Sequence, residues 1–523
     1  MTMPDGKRSG RRWPAGLLLL ALTLLVGCAG APVPREHATA LPPWEVAETT
    51  LGRWAAEQAE AHPGQSGMAL LANGKDAFAV RGLLTARAER RLDIQTYLMG
   101  DGLTTRALLA RVLEAAERGV EVRLLIDDMG AVGQGQRLAA LDSHPRVQVR
   151  LFHPLPVGRA SLATRVLVTL PVLPRHHRRM HNKLWVADNA LAIVGGRNLG
   201  DEYYNASEPR NFADLDLLTV GEVVAPLSMS FDLYWNHGLA QPVGRYHRAD
   251  ADAWRALRDE LAARLAEESD SDYFAALRQR HEERERSRLV DALHWGEAEA
   301  LWDPPGKPAR RGRPALAETM GGQLWARVAP EASLSLVSAY FVPTAEGSRV
   351  LQELAESGVA VEVVTNSLEA TDVPVVHGAY MPYRRELLES GVALFELRAE
   401  HDNGEAVAMG MPGTSASALH IKALAVDDDT IFVGSANADP RSVWWNSEVG
   451  VLAESEELAR EFRELVEEGA SPEMSYRVTL HEGRLVWEMR QDDETQRLAR
   501  EPGGPWRHAN AWLSRLLRLE RWL

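Results

Sequence analysis

Leu92-Asp-Ile-Gln-Thr-Tyr-Leu98 alternates apolar and polar residues, as a strand with one buried face does. Leu103 to Arg118 carries apolar residues at helical spacing, and Gly119 supplies a helix stop. Val120-Glu-Val-Arg-Leu-Leu-Ile-Asp127 then reads as a buried strand. The same order recurs later in the chain. A strand is predicted over Leu334 to Tyr340, a helix over Glu346 to Ser357, and a second buried strand after Gly358, ending at Asn366. Strands alternating with helices predict βαβ units and a largely parallel sheet, an α/β fold. Gly119 and Gly358 lie 239 residues apart, so the pattern is a duplication. Between the halves, residues 241–300 form a charged stretch with helical periodicity. Asp303 to Pro314, with four prolines and two glycines, reads as a loop.

Two polar segments keep the same register. The first is His181-Asn-Lys183-Leu-Trp-Val-Ala-Asp188, followed by Gly195-Gly196-Arg197-Asn198. The second is His420-Ile-Lys422-Ala-Leu-Ala-Val-Asp427, followed by Gly434-Ser435-Ala436-Asn437. The differences 420 − 181, 422 − 183, 427 − 188 and 437 − 198 are all 239. On a strand, residues two apart point to one face, so each His projects with its Lys. Asp188 and Asp427 fall beyond, at turns, where they brace the fold. The glycines at 195, 196 and 434 permit close backbone approach, which lets Asn198 and Asn437 join the same pocket. Two imidazoles, two ammoniums and two carboxamides suit a tetrahedral phosphate: one His attacks, the other protonates the leaving oxygen, and the rest stabilise the equatorial oxygens. The lysines supply the positive charge, so neither metal nor cofactor is expected.

A duplicated His-x-Lys-x4-Asp with Gly-[Gly/Ser]-x-Asn behind it resembles the signature of the phospholipase D superfamily. Leu125-Ile-Asp-Asp-Met-Gly130, Asp201-Glu-Tyr-Tyr204, Tyr340-Phe-Val-Pro343, Thr365-Asn-Ser367 and Asp439-Pro-Arg-Ser442 bring the likeness closest to bacterial cardiolipin synthases of the C type, from about residue 60 to 520. The resemblance implies two tandem phospholipase D-like halves, each a mixed β-sheet flanked by helices, packed around one shared active site. It implies a phosphatidyltransferase working by a metal-free ping-pong mechanism through a phosphohistidine. His181, Lys183, Asp188, His420, Lys422 and Asp427 would be the catalytic motif residues. His181 would be the nucleophile and His420 the general acid. A phospholipase D-type hydrolase releasing phosphatidic acid is the alternative, and a phosphodiesterase or nuclease on a non-lipid substrate is a more distant one. The implied partners are phospholipids (phosphatidylglycerol, phosphatidylethanolamine or cardiolipin) and the membrane, with phosphatidylethanolamine implied as the second lipid by the C-type likeness.

Each His also needs an orienting acid. The resemblance points to Glu448, 28 residues beyond His420. At the same distance beyond His181 stands Pro209, so the first half has an insertion, and Asp214 is the candidate there. A solvated loop carboxylate is the other reading of Asp214.

Composition narrows the setting. The chain has 523 residues, with a formal net charge of −15. That balance argues against a broad nucleic-acid surface while leaving room for a small basic pocket. The one cysteine, Cys28, excludes an intramolecular disulfide and a Cys-based zinc site. Lys7, Arg8, Arg11 and Arg12 precede the apolar Ala15 to Val26, too short for a comfortable membrane span, and Leu25-Val-Gly-Cys28 resembles a bacterial lipobox. Residues 1–28 therefore read as a lipoprotein signal peptide and 29–60 as a proline-marked tether with little regular structure. The expected location is membrane-anchored and facing the periplasm, with Ala29 favouring the outer membrane. The first half is assigned to 61–240, the connector to 241–320, the second half to 321–470, and a C-terminal hairpin and amphipathic helix to 471–523. Arg175 to Arg179 are expected to attract anionic headgroups. Leu167 to Pro174 reads as a buried connector or a loop that receives acyl chains. The Trp-, Leu- and Arg-rich end, Trp506 to Leu523, reads as a packed helix or one lying at a bilayer.

Overall fold

Both expected βαβ units are present in the computed structural model, which describes residues 37–155, 177–278, 293–399, 416–491, 494–517 and 519–522. The first half contributes β1 (Ser66–Leu71), β2 (Arg91–Leu98), β3 (Glu121–Gly130), β4 (Val147–Phe152), β5 (Leu184–Ala187), β6 (Leu191–Gly195), β7 (Arg210–Ala213), β8 (Asp216–Gly221) and β9 (Ala240–Pro242). The second half contributes β10 (His294–Trp302), β11 (Ser333–Ser338), β12 (Ala360–Asn366), β13 (Ala393–Leu397), β14 (Ala416–Leu419), β15 (Lys422–Val426), β16 (Thr430–Gly434), β17 (Val449–Glu454), β18 (Ser475–His481), β19 (Arg484–Gln491) and β20 (Glu494–Leu498).

In the first half, β2, β3 and β4 pair in parallel, while β5, β6 and β8 are antiparallel additions, so the sheet is mixed. The second half repeats this with β11, β12 and β13 parallel and β15, β16 and β17 antiparallel. Helices Leu103–Glu117 and Thr344–Glu356 fill the equivalent crossovers. Gly119 and Gly358 follow them with φ of 109° and 100°, a conformation that costs glycine nothing. Each half has its own apolar core, one built around Leu108, Leu124 and Ile193, the other around Val363, Leu394 and Val478. β1 pairs antiparallel with β10, and β7 pairs in parallel with β14, so the halves share backbone hydrogen bonds.

The motif aspartates sit where the turn reading put them. Asp188 and Asp427 have φ of 51° and 50°. Asp188 accepts from the backbone N–H groups of Glu89, Arg90 and Arg91 at 2.8–2.9 Å, at the entry to β2. Asp427 accepts from those of Glu331, Ala332 and Ser333 at the entry to β11. Their carboxylates fasten strand ends.

Two expectations about layout need correction. The tether 29–60 contains two helices, Pro43–Glu48 and Thr50–Ala59. Pro43 stands at the first helical position, where its missing N–H is harmless, and Thr49 caps the second helix by accepting from Gly52 N at 2.9 Å. Leu51 and Ala55 join the first core. The connector 241–320 is not wholly helix and loop, because it holds β10, which pairs with β17 as well as β1. The C-terminal segment does hold a hairpin and a helix, and the hairpin joins the second sheet: β18 pairs with β13 and carries β19 and β20 on its edge. Cys28, Leu167 to Pro174, Arg175 and His176 lie outside the described residues.

If Asp188 braces rather than reacts, Asp188→Ala strands three N–H groups and costs about 2–4 kcal/mol. The urea midpoint should fall while turnover per folded molecule stays within about tenfold, an allowance for small displacements of a site. Unchanged stability with turnover down by orders of magnitude would show a direct catalytic part.

Candidate active site

The two motif histidines are brought together at the seam between the halves. His420 follows β14, and its N–H donates to Ala213 O at 2.6 Å. Asp214 is the next residue after β7, so β7–β14 pairing lays Asp214 beside His420. His420 Nδ1 donates to Asp214 Oδ2 at 2.6 Å. The other pair is built the same way. His181 N–H donates to Ser447 O at 2.8 Å, and Ser447 N–H donates to Arg179 O at 2.9 Å. Glu448 thereby lies beside His181, whose Nδ1 donates to Glu448 Oε2 at 2.9 Å and also faces Ser435 O at 3.1 Å. Each His is therefore held by the carboxylate of the opposite half. This corrects the expectation, taken from the family resemblance and the matching spacing, that Glu448 serves His420 and Asp214 serves His181. The residues are the expected ones and the pairing is crossed.

A second duplicated tie holds each His segment. Asp127, where the parallel pairing of β3 with β4 ends, accepts from Met180 N at 3.0 Å. Asn366, its counterpart on β12, accepts from Leu419 N at 2.8 Å. Both spacings, 366 − 127 and 419 − 180, are again 239.

Glycine makes room at two places. A Cβ on Gly196 would collide with the Asp214 carboxylate, and one on Gly434 would meet Val449 O at 2.7 Å. The approach at Gly196 serves the Asp214 carboxylate, and that at Gly434 the pairing of β16 with β17. Asn198 is buried, accepts from Leu98 N at 3.2 Å and donates to the Tyr203 hydroxyl at 2.9 Å. Asn437 is buried with an Oδ1 that has no hydrogen-bond partner among the described residues.

Both lysines are buried beside their histidines. Lys183 Nζ donates to His181 O at 2.6 Å, and Lys422 Nζ donates to His420 O. Burial holds the Lys183 ammonium well below the ordinary lysine range despite Glu448, and it lowers Lys422 despite Asp214. Burial likewise holds His181 well below the usual imidazole value, aided by Lys183 and Lys422. His420 is lowered by burial and Lys422 against the pull of Asp214. Glu448 is raised by burial, with Lys183 opposing. Asp214 ends below the ordinary carboxylate value, since His420 and Lys422 outweigh the effect of burial. With Nδ1–H committed to a carboxylate, a neutral ring presents its Nε2 lone pair.

Several neighbours escaped the sequence reading. Tyr97 lies edge-on to His181 with ring centres 5.1 Å apart, and Tyr203 lies edge-on to His420 at 5.2 Å. Ser435 Oγ donates to Glu448 Oε2 at 2.6 Å. Asp303, from the proline-rich loop, accepts from Glu448 N at 3.0 Å and pairs with buried Lys307 at 2.9 Å. Burial pushes Asp303 up to about 6. Tyr203 and Ser435 stood inside quoted motifs; nothing in a loop composition marks Asp303. The basic run also needs correction. Arg179 is buried and paired with Asp127 at 2.7 Å, and Arg178 lies over the Trp445 ring at 3.9 Å and donates to Arg310 O. Both are committed within the fold rather than offered to a headgroup.

Comparison with known proteins agrees with this geometry. Residues 84–211 and 329–468 match the family described as cardiolipin synthase, PLD-like domain. The chain is 37% identical over 409 residues to cardiolipin synthase C of Escherichia coli (strain K12), covering 76% of this chain and 84% of that one. It is 29% identical over 481 residues to an uncharacterized protein of Helicobacter pylori (strain ATCC 700392 / 26695), covering 90% and 92%. The phosphatidylserine synthase of Haemophilus influenzae Rd KW20 shares the fold, with a TM-score of 0.53 at 12% identity over 89% of this chain and 97% of that one.

The lowered histidines make stability depend on pH. An unfolded chain protonates each His near 6.5, the folded one only at lower pH. Their contribution is complete above that value and is lost as pH falls from it toward the folded value. Between pH 7.5 and 5.5 the melting temperature of the wild type should therefore drop more steeply than that of a His181→Gln/His420→Gln variant. Equal slopes would contradict the shift.

Proposed function

We infer the activity from a chain that belongs to the cardiolipin synthase, PLD-like domain family: it is a phosphatidyltransferase, and it makes cardiolipin. The observation that carries this reading is the pair of crossed His–carboxylate contacts, which leave two Nε2 atoms for one phosphodiester. His181 Nε2 attacks phosphorus, and the bond to the headgroup oxygen breaks as His420 Nε2–H protonates that oxygen. The phosphatidyl group now sits on His181. A hydroxyl of phosphatidylglycerol enters where the headgroup left, gives its proton to His420, and attacks phosphorus. The His181–phosphorus bond breaks, and cardiolipin leaves with the enzyme restored. Lys183 and Lys422 stabilise the charge on the equatorial oxygens, with the Asn437 amide N–H2 as a further donor. Glu448 and Asp214 support each ring when it carries positive charge.

Water competes for the phosphohistidine at a concentration near ~55 M. Transfer exceeds hydrolysis only if the acceptor is held in line, and effective molarities of ~10⁵ M or more are attainable by positioning. Phosphatidylethanolamine is the proposed donor and phosphatidylglycerol the acceptor. Cys28, by its lipobox sequence, anchors the protein to a membrane on the periplasmic side.

Mass spectrometry of lipids after incubation with both substrates should show cardiolipin in excess of phosphatidic acid, with EDTA changing the yield less than about twofold, since lysines rather than a cation meet the phosphate. Phosphatidic acid in excess despite surplus acceptor identifies a hydrolase. A loss restored by one divalent ion alone contradicts the charge scheme.

A further inference from the structure

The C-terminal helix, Pro505–Leu516, turns its apolar face away from the protein. Successive residues on a helix are spaced by about 100°, so Trp506, Ala509, Trp512, Leu513, Leu516 and Leu517 share one side. All of them are exposed: Trp506 by 77%, Trp512 by 61% and Leu516 by 60%. The opposite side, small and polar, meets the fold. Ala511 and Ser514 are buried, and Gly378 on helix Pro374–Tyr380 approaches so closely that a Cβ there would collide with Ala511 O. Arg507 Nη1 donates to Leu368 O at 3.1 Å and Thr371 O at 2.6 Å, which fixes the helix's rotation. Small residues and an arginine thus point the large apolar side chains into solvent. A contiguous patch of that kind is uncommon on a soluble surface and marks a contact site.

The surroundings indicate what covers it. At the N-terminal end, a cavity of about 770 Å³ is lined by Arg385, Arg484, Arg500, Trp487 and His508. At the C-terminal end, a second cavity of about 820 Å³ is lined by Arg313, Glu346, Trp444, Trp445, Arg515 and Glu520. The basic excess therefore stands at the N-terminal end, where three arginines and His508 face the one acid Glu501, in a chain whose overall charge is −15; at the C-terminal end Arg313 is paired with Glu346 at 3.4 Å. Trp residues in the face with Arg at its margins suit the boundary between acyl chains and anionic headgroups. The second cavity also has the active-site segments behind its wall. Trp445 lies under Arg178, three residues before His181, and helix Pro440–Trp444 begins three residues after Asn437.

We propose that the outward face of the C-terminal helix docks on an anionic bilayer surface, laying the Trp444–Trp445 cavity between the lipid and the two histidines. The proposal rests on the phosphatidyl-transfer reading for the use of the cavity, and on the helix alone for the docking.

The test uses the full chain carrying Cys28→Ser and Leu513→Cys, labelled at 513 with an environment-sensitive dye. Vesicles of phosphatidylethanolamine and phosphatidylglycerol should shift the emission to the blue, more than vesicles of phosphatidylcholine do. The same dye on Ala263→Cys, exposed on helix Ala253–Glu267, should not respond. Emission already blue without lipid, and lost on dilution, would make the face a contact between two copies and overturn the proposal, as would no response to any vesicle. In parallel, Trp512→Ser/Leu513→Ser/Leu516→Ser in the otherwise native chain should lower phosphatidyl transfer in vesicles of phosphatidylethanolamine and phosphatidylglycerol by about tenfold or more and leave transfer between soluble short-chain forms of the same two lipids within about twofold, because only the first needs interfacial burial. Equal losses in vesicles and with the soluble forms would overturn a docking role. A dye that responds in a protein that transfers no phosphatidyl group in either setting would sustain docking and remove the transferase reading instead.

Discussion

Everything at the seam depends on two hydrogen bonds that cross it, His181 Nδ1 to Glu448 and His420 Nδ1 to Asp214. Each fixes a tautomer, so each ring keeps Nε2 free, and in the proposed mechanism each places a buried carboxylate where the ring becomes positive. Neither half can do this alone, because the carboxylate that serves its histidine is on the other chain segment. The backbone enforces the exchange. Parallel pairing of β7 with β14 delivers Asp214 to His420, and the short ladder of Arg179 and His181 with Ser447 delivers Glu448 to His181. A duplicated fold with one shared site follows from that geometry.

Burial sets the electrostatics of the same place. The two imidazoles are lowered chiefly because they are removed from water, and the lysines two residues on are lowered for the same reason. A phosphodiester entering between them supplies the negative charge that these cations lack, so substrate binding and imidazole protonation favour each other. The outer layer resists displacement: Ser435 holds Glu448, and the Asp303–Lys307 pair fastens its backbone. The proline-rich loop between the halves is thereby a support for the acid beside His181 rather than a passive link.

The 239-residue register was legible because the motif residues occupy fixed strand and turn positions, where a one-residue slip would send His and Lys to the opposite face. The bracing by Asp188 and Asp427 was legible for a related reason, a carboxylate just past a strand beside a turn. The crossing was not. His181 to Asp214 is 33 residues and His420 to Glu448 is 28, and distance along a chain carries no sign of which histidine an acid will meet. Arg179 misled because a run of basic residues beside a phosphate site reads as available to an anionic headgroup, whereas its partner Asp127 lies 52 residues upstream. β10 was hidden inside a charged stretch whose helical part, Ala253–Glu267, set the expectation for the rest. The C-terminal helix was visible as amphipathic, but periodicity alone cannot tell which face turns inward; Ala511 opposite Gly378 decides that.

The crossed pairing is tested most directly by nitrogen NMR of the two imidazoles in protein labelled at histidine. Glu448→Gln should move the Nδ1 resonance and lower the titration midpoint of His181 while leaving those of His420 nearly in place, and Asp214→Asn should do the reverse. If Glu448→Gln instead perturbs His420, or Asp214→Asn perturbs His181, each half supplies its own acid and the account of a site shared across the seam is wrong.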